Sequence, residues 1–173
     1  LTESSHAVIN EQATKRSQLD KTLKEELALR SSTDQLFKGK AVLEWVREGG
    51  VREDEGTYLE YLTGKARSLR HFHDPLRAWD QSGLSMFQLF PPRFARYESS
   101  PRWAQRVDQN RETGYGNYSW PSARQYFLTA LTDPDPTRRE QGFADTFRAL
   151  GQIMHLIGDA SVPEHVRNDP HPM

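Results

Sequence analysis

Gly151-Gln152-Ile153-Met154-His155-Leu156-Ile157-Gly158-Asp159-Ala160-Ser161-Val162-Pro163-Glu164-His165 sets the pattern His-x3-Asp-x5-His inside an otherwise apolar helix. Apolar residues at Phe143, Phe147, Leu150, Met154 and Ile157 recur at helical spacing, so this segment is expected to turn one face into a core. His155 and Asp159 lie one turn apart and project from a single face. Pro163 is expected to end or bend the helix, with His165 returning from the turn beyond it. A lone histidine on such a helix is ordinarily a hydrogen-bonded core residue. An imidazole and a carboxylate together both lose hydration there, and a bound metal ion is the direct compensation.

The rest of the chain favours that second reading. Its six histidines (His6, His71, His73, His155, His165 and His171) fall mostly in short polar motifs. Cysteine is absent, which removes disulfides and thiolate metal sites and leaves His, Asp and Glu as ligands. The 173 residues suffice for one domain with a sizeable core. A formal net charge of −1 excludes a global basic field for nucleic acid or membrane surfaces. No apolar run approaches membrane-spanning length, so no stable membrane insertion is expected, and no secretory signal is visible.

Along the chain, Ile9, Ala13, Leu19, Leu23 and Leu27 suggest a first helix, with His6, Asn10 and Gln12 near its start. Ser31-Ser32-Thr33-Asp34 reads as a turn and cap cluster. A second helix takes Leu36, Val42, Leu43, Trp45 and Val46 as its apolar side and stops at Gly49-Gly50. An acidic loop follows, Val51-Arg52-Glu53-Asp54-Glu55-Gly56, which taken alone is a solvated turn. In Arg70-His71-Phe72-His73-Asp74-Pro75 an extended backbone would set His71 and His73 on one face, with Asp74 available to fix a ligand imidazole. The residues Arg93-Phe94-Ala95-Arg96-Tyr97 and Arg102-Trp103 interleave cations with aromatics, a pattern that suits either a phosphate and a base or the snorkelling edge of a core. Gly114-Tyr115-Gly116-Asn117-Tyr118 reads as a loop walling a pocket. Trp120-Pro121-Ser122 opens a third helix with Ala123, Tyr126, Phe127 and Ala130 inward. Asp133-Pro134-Asp135-Pro136 ends it, and Thr137-x-x-Glu140 is a capping-box pattern for the last. The fold class expected is all-α, a single mostly helical domain over residues 1–173 with long loops and almost no strand.

Taken together these motifs resemble the bacterial zinc-dependent phospholipase C family, which shares its fold with the fungal single-strand-specific zinc nucleases. His6 in His-Ala-Val-Ile-Asn-Glu-Gln-Ala matches the early-histidine helix, Asp54 the acidic loop, and His71 the His-Phe-x-Asp-Pro motif. His155, Asp159 and His165 match the signature helix, and Ala123-Arg124-Gln125-Tyr126-Phe127 fits the helix before it. The resemblance runs in order along nearly the whole chain.

That resemblance implies up to three zinc ions. The first would take Asp54, His71, His155 and Asp159; another would take His6 and the second oxygen of Asp159, which would bridge. A further ion would begin with His165. It also implies a phosphoester hydrolase in which clustered ions hold the phosphate and ionise a water, with Asp54 as the catalytic residue orienting that water. A secreted or periplasmic location follows from the same likeness. His73 is expected to line the pocket rather than bind metal. After His165 the family pattern calls for another histidine and a following acid. His171 is the one candidate and no acid follows it, so the native chain is expected to run beyond Met173. Ala160-Ser161-Val162-Pro163-Glu164 departs from the segment usual in either branch. A phospholipid head group therefore stands as the first substrate expectation and single-stranded nucleic acid as the second. A non-catalytic domain stabilised by metal is the reading from another class.

Overall fold

The computed structural model describes residues 3–167 and residue 169; Leu1 and His171 lie outside the described residues. Helix α1 runs Glu3–Arg16. Its buried side is polar, made by His6, Asn10 and Thr14 with Ala7, whereas Ile9 and Ala13 face solvent. The continuous first helix expected through Leu27 is broken. The Ser17 hydroxyl donates to the Thr14 carbonyl at 2.8 Å and accepts from the Leu19 N–H at 3.1 Å, a side-chain alternative to the helical ladder. A short α2 (Leu19–Lys21) and a π-helical turn, Thr22–Glu26, follow.

A hairpin of β1 (Leu36–Phe37) and β2 (Lys40–Ala41) leads into α3, Val42–Arg52. Leu36 is therefore a strand residue and exposed, not part of the second helix. Helix α4 (Tyr58–Leu62) and a 3₁₀ turn, Arg67–Arg70, precede a second hairpin of β3 (Ser85–Gln88) and β4 (Arg93–Arg96). Short helices α5 (Ser100–Trp103) and α6 (Gln109–Thr113) come next. The long elements α7 (Trp120–Thr132) and α8 (Pro136–Asp159) then lead to α9, Pro163–Val166. The domain is mostly helical, with 57% helix against 7% strand, so the two hairpins qualify the all-α expectation without changing the class.

Helix α8 is the central member, lying against α3 and α7, with α1 closing over α3. Leu23, Phe37, Val42, Val46, Ala144 and Phe147 form the main core, and Phe143, Leu150 and Met154 pack against it. Ile157 falls off this stripe and is exposed. Burying Leu23, Phe37, Val42, Val46 and Phe147 stabilises the fold by about 1.5–3 kcal/mol each. A second core, Ala66, Leu69, Phe72, Leu84 and Tyr97, supports the β3–β4 hairpin.

Gly49 and Gly50 do not stop the second helix; they lie inside α3, which continues to Arg52. A Cβ on Gly49 would stand 2.9 Å from the Gly151 Cα, and one on Gly151 would overlap the Val46 carbonyl. Glycines here allow α3 and α8 to cross backbone to backbone. Asn10 fastens α1 to that crossing, its amide donating to Gly151 O at 2.9 Å and Val46 O at 3.3 Å. The start of α8 also differs from the expected capping box. Asp135 is the cap, accepting from Thr137 N at 2.8 Å, and Glu140 reaches instead to the Lys38 N–H at 2.7 Å.

Candidate metal centre

Four elements deliver side chains to one buried point. Helix α1 supplies His6, the turn after α3 supplies Asp54, the end of the 3₁₀ turn supplies His71, and the last turn of α8 supplies His155 and Asp159. The helix ends at Asp159, ahead of Pro163, which starts α9; that helix returns His165 to the cluster. His6, His71, His155 and Asp159 are at most 2% exposed, whereas Asp54 is 21% exposed and forms the rim.

Asp159 divides its carboxylate between two sets of rings. Oδ2 stands 2.9 Å from His71 Nδ1 and 3.1 Å from His155 Nε2. Oδ1 stands 3.2 Å from His6 Nε2 and 3.2 Å from His165 Nδ1. These separations are short, yet neither oxygen accepts a well-formed hydrogen bond among the described residues. His155 Nε2 and His71 Nδ1 also face each other at 3.3 Å, with Asp54 Oδ1 at 3.6 Å and 3.5 Å from them respectively. Nitrogen and oxygen atoms from four elements thus crowd one shared space. Ligand atoms about 2.0–2.1 Å from one small cation in a tetrahedral array stand roughly 3.3 Å apart, so the set has metal-ligand spacing. Two overlapping groups have it: His6, His155 and Asp159, and Asp54, His71 and His155. Oxygen and nitrogen donors with no thiolate suit a divalent cation, and the buried Asp159 with the partly exposed Asp54 supplies the compensating charge.

The tautomer of His155 is set locally. Its Nδ1 lies 2.6 Å from the Gly50 carbonyl and must donate, leaving the Nε2 lone pair toward the cluster. The ring stacks on His6 with centroids 3.5 Å apart and planes 13° from parallel. Without metal, burial lowers the His155 pKa, but the contact with Asp159, the charge of Asp54 and the Gly50 carbonyl outweigh it and push the value up to about 9. Burial would raise that of Asp159, yet His155, His165, His6 and His71 hold it well below the usual carboxylate range.

The structure corrects the expected surroundings of His71. It caps a 3₁₀ turn in helical backbone geometry rather than sitting in an extended segment, so His73 points elsewhere. His73 Nδ1 is 3.1 Å from Ser82 Oγ, its ring packs on Trp79, and its backbone N–H donates to His165 O at 2.9 Å. Asp74 fixes no imidazole; it accepts from Leu76 N and Arg77 Nε.

The carboxylate behind His71 is Glu53, with Oε1 at 3.8 Å from Nε2. Glu53 is fully buried; Oε1 accepts from Trp103 Nε1 at 2.8 Å, and Oε2 accepts from Arg67 Nη2 and Nε at 2.7 Å and 3.0 Å. Arg67 donates onward to Gln109 Oε1 at 3.1 Å and lies over the Trp103 ring. Trp103 is thus core, not a stacking surface, and Tyr97 is buried as well. Nothing in the sequence distinguished Glu53 from its acidic neighbours Asp54 and Glu55.

No family model, no curated protein and no solved structure matches this chain.

Proposed function

We propose that this chain is a zinc-dependent phosphoester hydrolase of the phospholipase C type. The observation that carries the reading is Asp159, whose two oxygens each face two imidazoles at 2.9–3.2 Å across a buried space. Asp54, His71, His155 and Asp159 would hold one zinc ion, and His6 with the other oxygen of Asp159 would hold a second; His165 would start a further site. Bound zinc supplies Lewis acidity toward a phosphate ester and a water acidic enough to ionise near neutral pH. The residues of the chain do the rest. Gly50 O holds His155 in its binding tautomer, Asp159 keeps the sites at fixed separation, and the partly exposed Asp54 carboxylate orients water at the rim. The ordered likeness of His6, Asp54, His71, His155, Asp159 and His165 to the phospholipase C motifs supports the reaction class.

The test is elemental analysis of the purified protein together with turnover of para-nitrophenyl phosphorylcholine and of single-stranded DNA. Bound zinc with hydrolysis of the choline ester is the expected result. Hydrolysis of DNA alone would assign the nuclease branch. Zinc without turnover of either would assign a metal-stabilised binding domain, and absence of metal would remove the proposal.

A further inference from the structure

A cavity of about 630 Å³ opens between the β3–β4 hairpin, the residues around α4 and the 3₁₀ turn, and helices α5 and α6. None of the six residues gathered at the metal centre lines it. Seven of its lining residues are arginine or lysine and three are acidic, in a chain whose total charge is close to zero. The acids are largely committed. Arg106 spans Glu98 at 3.2 Å and Glu112 at 2.9 Å, and Arg102 and Arg70 lie 3.5 Å and 3.6 Å from the same two carboxylates. Lys65, Arg93 and Arg111 have no ion-pair or side-chain hydrogen-bond partner among the described residues, yet all three border the one cavity. Like charges crowded in a concave surface repel one another, and the concave shape focuses their field on any anion that enters.

We propose that this cavity is a binding site for a phosphate group, seated among Lys65, Arg93 and Arg111. A dianionic phosphate offers tetrahedral oxygens to several donors at once. Arginine forks match that geometry, and lysine adds a point charge. A single carboxylate would neutralise too little of the excess. The volume lies within the ~300–1,000 Å³ typical of small-molecule sites, so the ligand is a phosphorylated molecule larger than phosphate itself. The site does not depend on the metal centre being filled.

The experiment is calorimetric titration of the full chain with inorganic pyrophosphate at low salt, on the protein as purified and after its metal has been dialysed away. Saturable binding is expected in both. Lys65→Gln, Arg93→Gln and Arg111→Gln should each weaken it by ~tenfold, the range for loss of one charge-assisted contact. Arg16→Gln, an exposed change on α1, should leave it unaltered. All four positions are exposed, so the variants should keep the wild-type circular dichroism spectrum. Sedimentation with phosphatidylcholine vesicles containing phosphatidic acid separates the sources of the phosphate. Capture lost in the same three variants assigns a lipid head group, and pyrophosphate binding without capture assigns a soluble ligand. Pyrophosphate binding that survives the triple replacement, or that Arg16→Gln weakens equally, overturns the proposal, as does absence of binding to both probes.

Discussion

Gly49 and Gly151 meet where α3 crosses α8, and a Cβ on either would lie 2.9–3.0 Å from the Cα of the other. Gly49 lies one residue from the Gly50 carbonyl that holds His155 and five from Asp54 on the turn beyond. The spacing of the two helices therefore sets the geometry of the cluster. Gly151→Ala would drive a methyl group into the Val46 carbonyl, and backbone cannot rotate aside as a side chain can. We expect a loss of roughly 3 kcal/mol in denaturant unfolding, the upper end for overpacking a close-packed contact, together with weakened metal binding. Unchanged stability would show that the helices separate without resistance.

The pairing of His155 with Asp159 was legible because helical periodicity fixes it, one turn apart, with no knowledge of the remaining fold; His6, Asp54 and His71 are remote in sequence and were joined to it only by the resemblance of the motifs. The Gly49-Gly50 pair was misread for an equally physical reason. Glycine pairs favour helix ends on local propensity, and only the partner helix, remote in sequence, reveals that they are contact points. The strands β3 and β4 escaped because Phe87 and Phe94 are exposed, which leaves no buried alternation to read. Glu53 escaped because an acid in an acidic turn looks solvated until Arg67 and Trp103 are brought to it.

Glu53→Gln tests that buried network. The replacement keeps an oxygen for Trp103 but leaves Arg67, with no exposed side-chain surface, charged and without its carboxylate. Breaking a buried ion pair from one side costs about 3–5 kcal/mol, so a large drop in unfolding free energy is expected. The negative charge 3.8 Å from His71 Nε2 is lost as well; at that distance it is no hydrogen bond, so metal binding should weaken only modestly. Zinc titration of the folded variant checks the second effect independently of the first.

The loop carrying Tyr115 is latched to α4 within a defined pH window. The Tyr115 hydroxyl donates to Glu60 Oε2 at 2.5 Å. That bond, with help from the Thr57 N–H, lowers the Glu60 pKa, and the same bond pushes the phenol up to about 12. The lowered carboxylate contributes above its unfolded value of 4.5, and its contribution is lost as pH falls through the lower folded value. The raised phenol contributes fully below 10.0 and loses its contribution as pH rises through about 12. Tyr115→Phe should remove the alkaline limb and shrink the acid one to the part that Thr57 holds, and the phenolate absorbance missing from the variant should titrate near 12. A missing phenol that ionises at its ordinary value would contradict the latch.

Asp159→Asn bears most directly on the metal centre. Oδ2 stands beside His71 and His155, and Oδ1 beside His6 and His165, so both sides of the cluster lose charge and one loses an oxygen lone-pair donor. An amide cannot bridge two cations as a carboxylate does, because its nitrogen carries protons where the second ion would sit. Metal content measured by plasma emission should therefore fall by both equivalents together. The melting temperature should become insensitive to chelator, since the stabilisation contributed by bound metal is gone. In the wild type a chelator should lower melting. Retention of one tightly held ion in Asp159→Asn would mean that one group binds without the shared carboxylate, and the division of Asp159 between its two pairs of histidines would then have to be explained by imidazole packing alone.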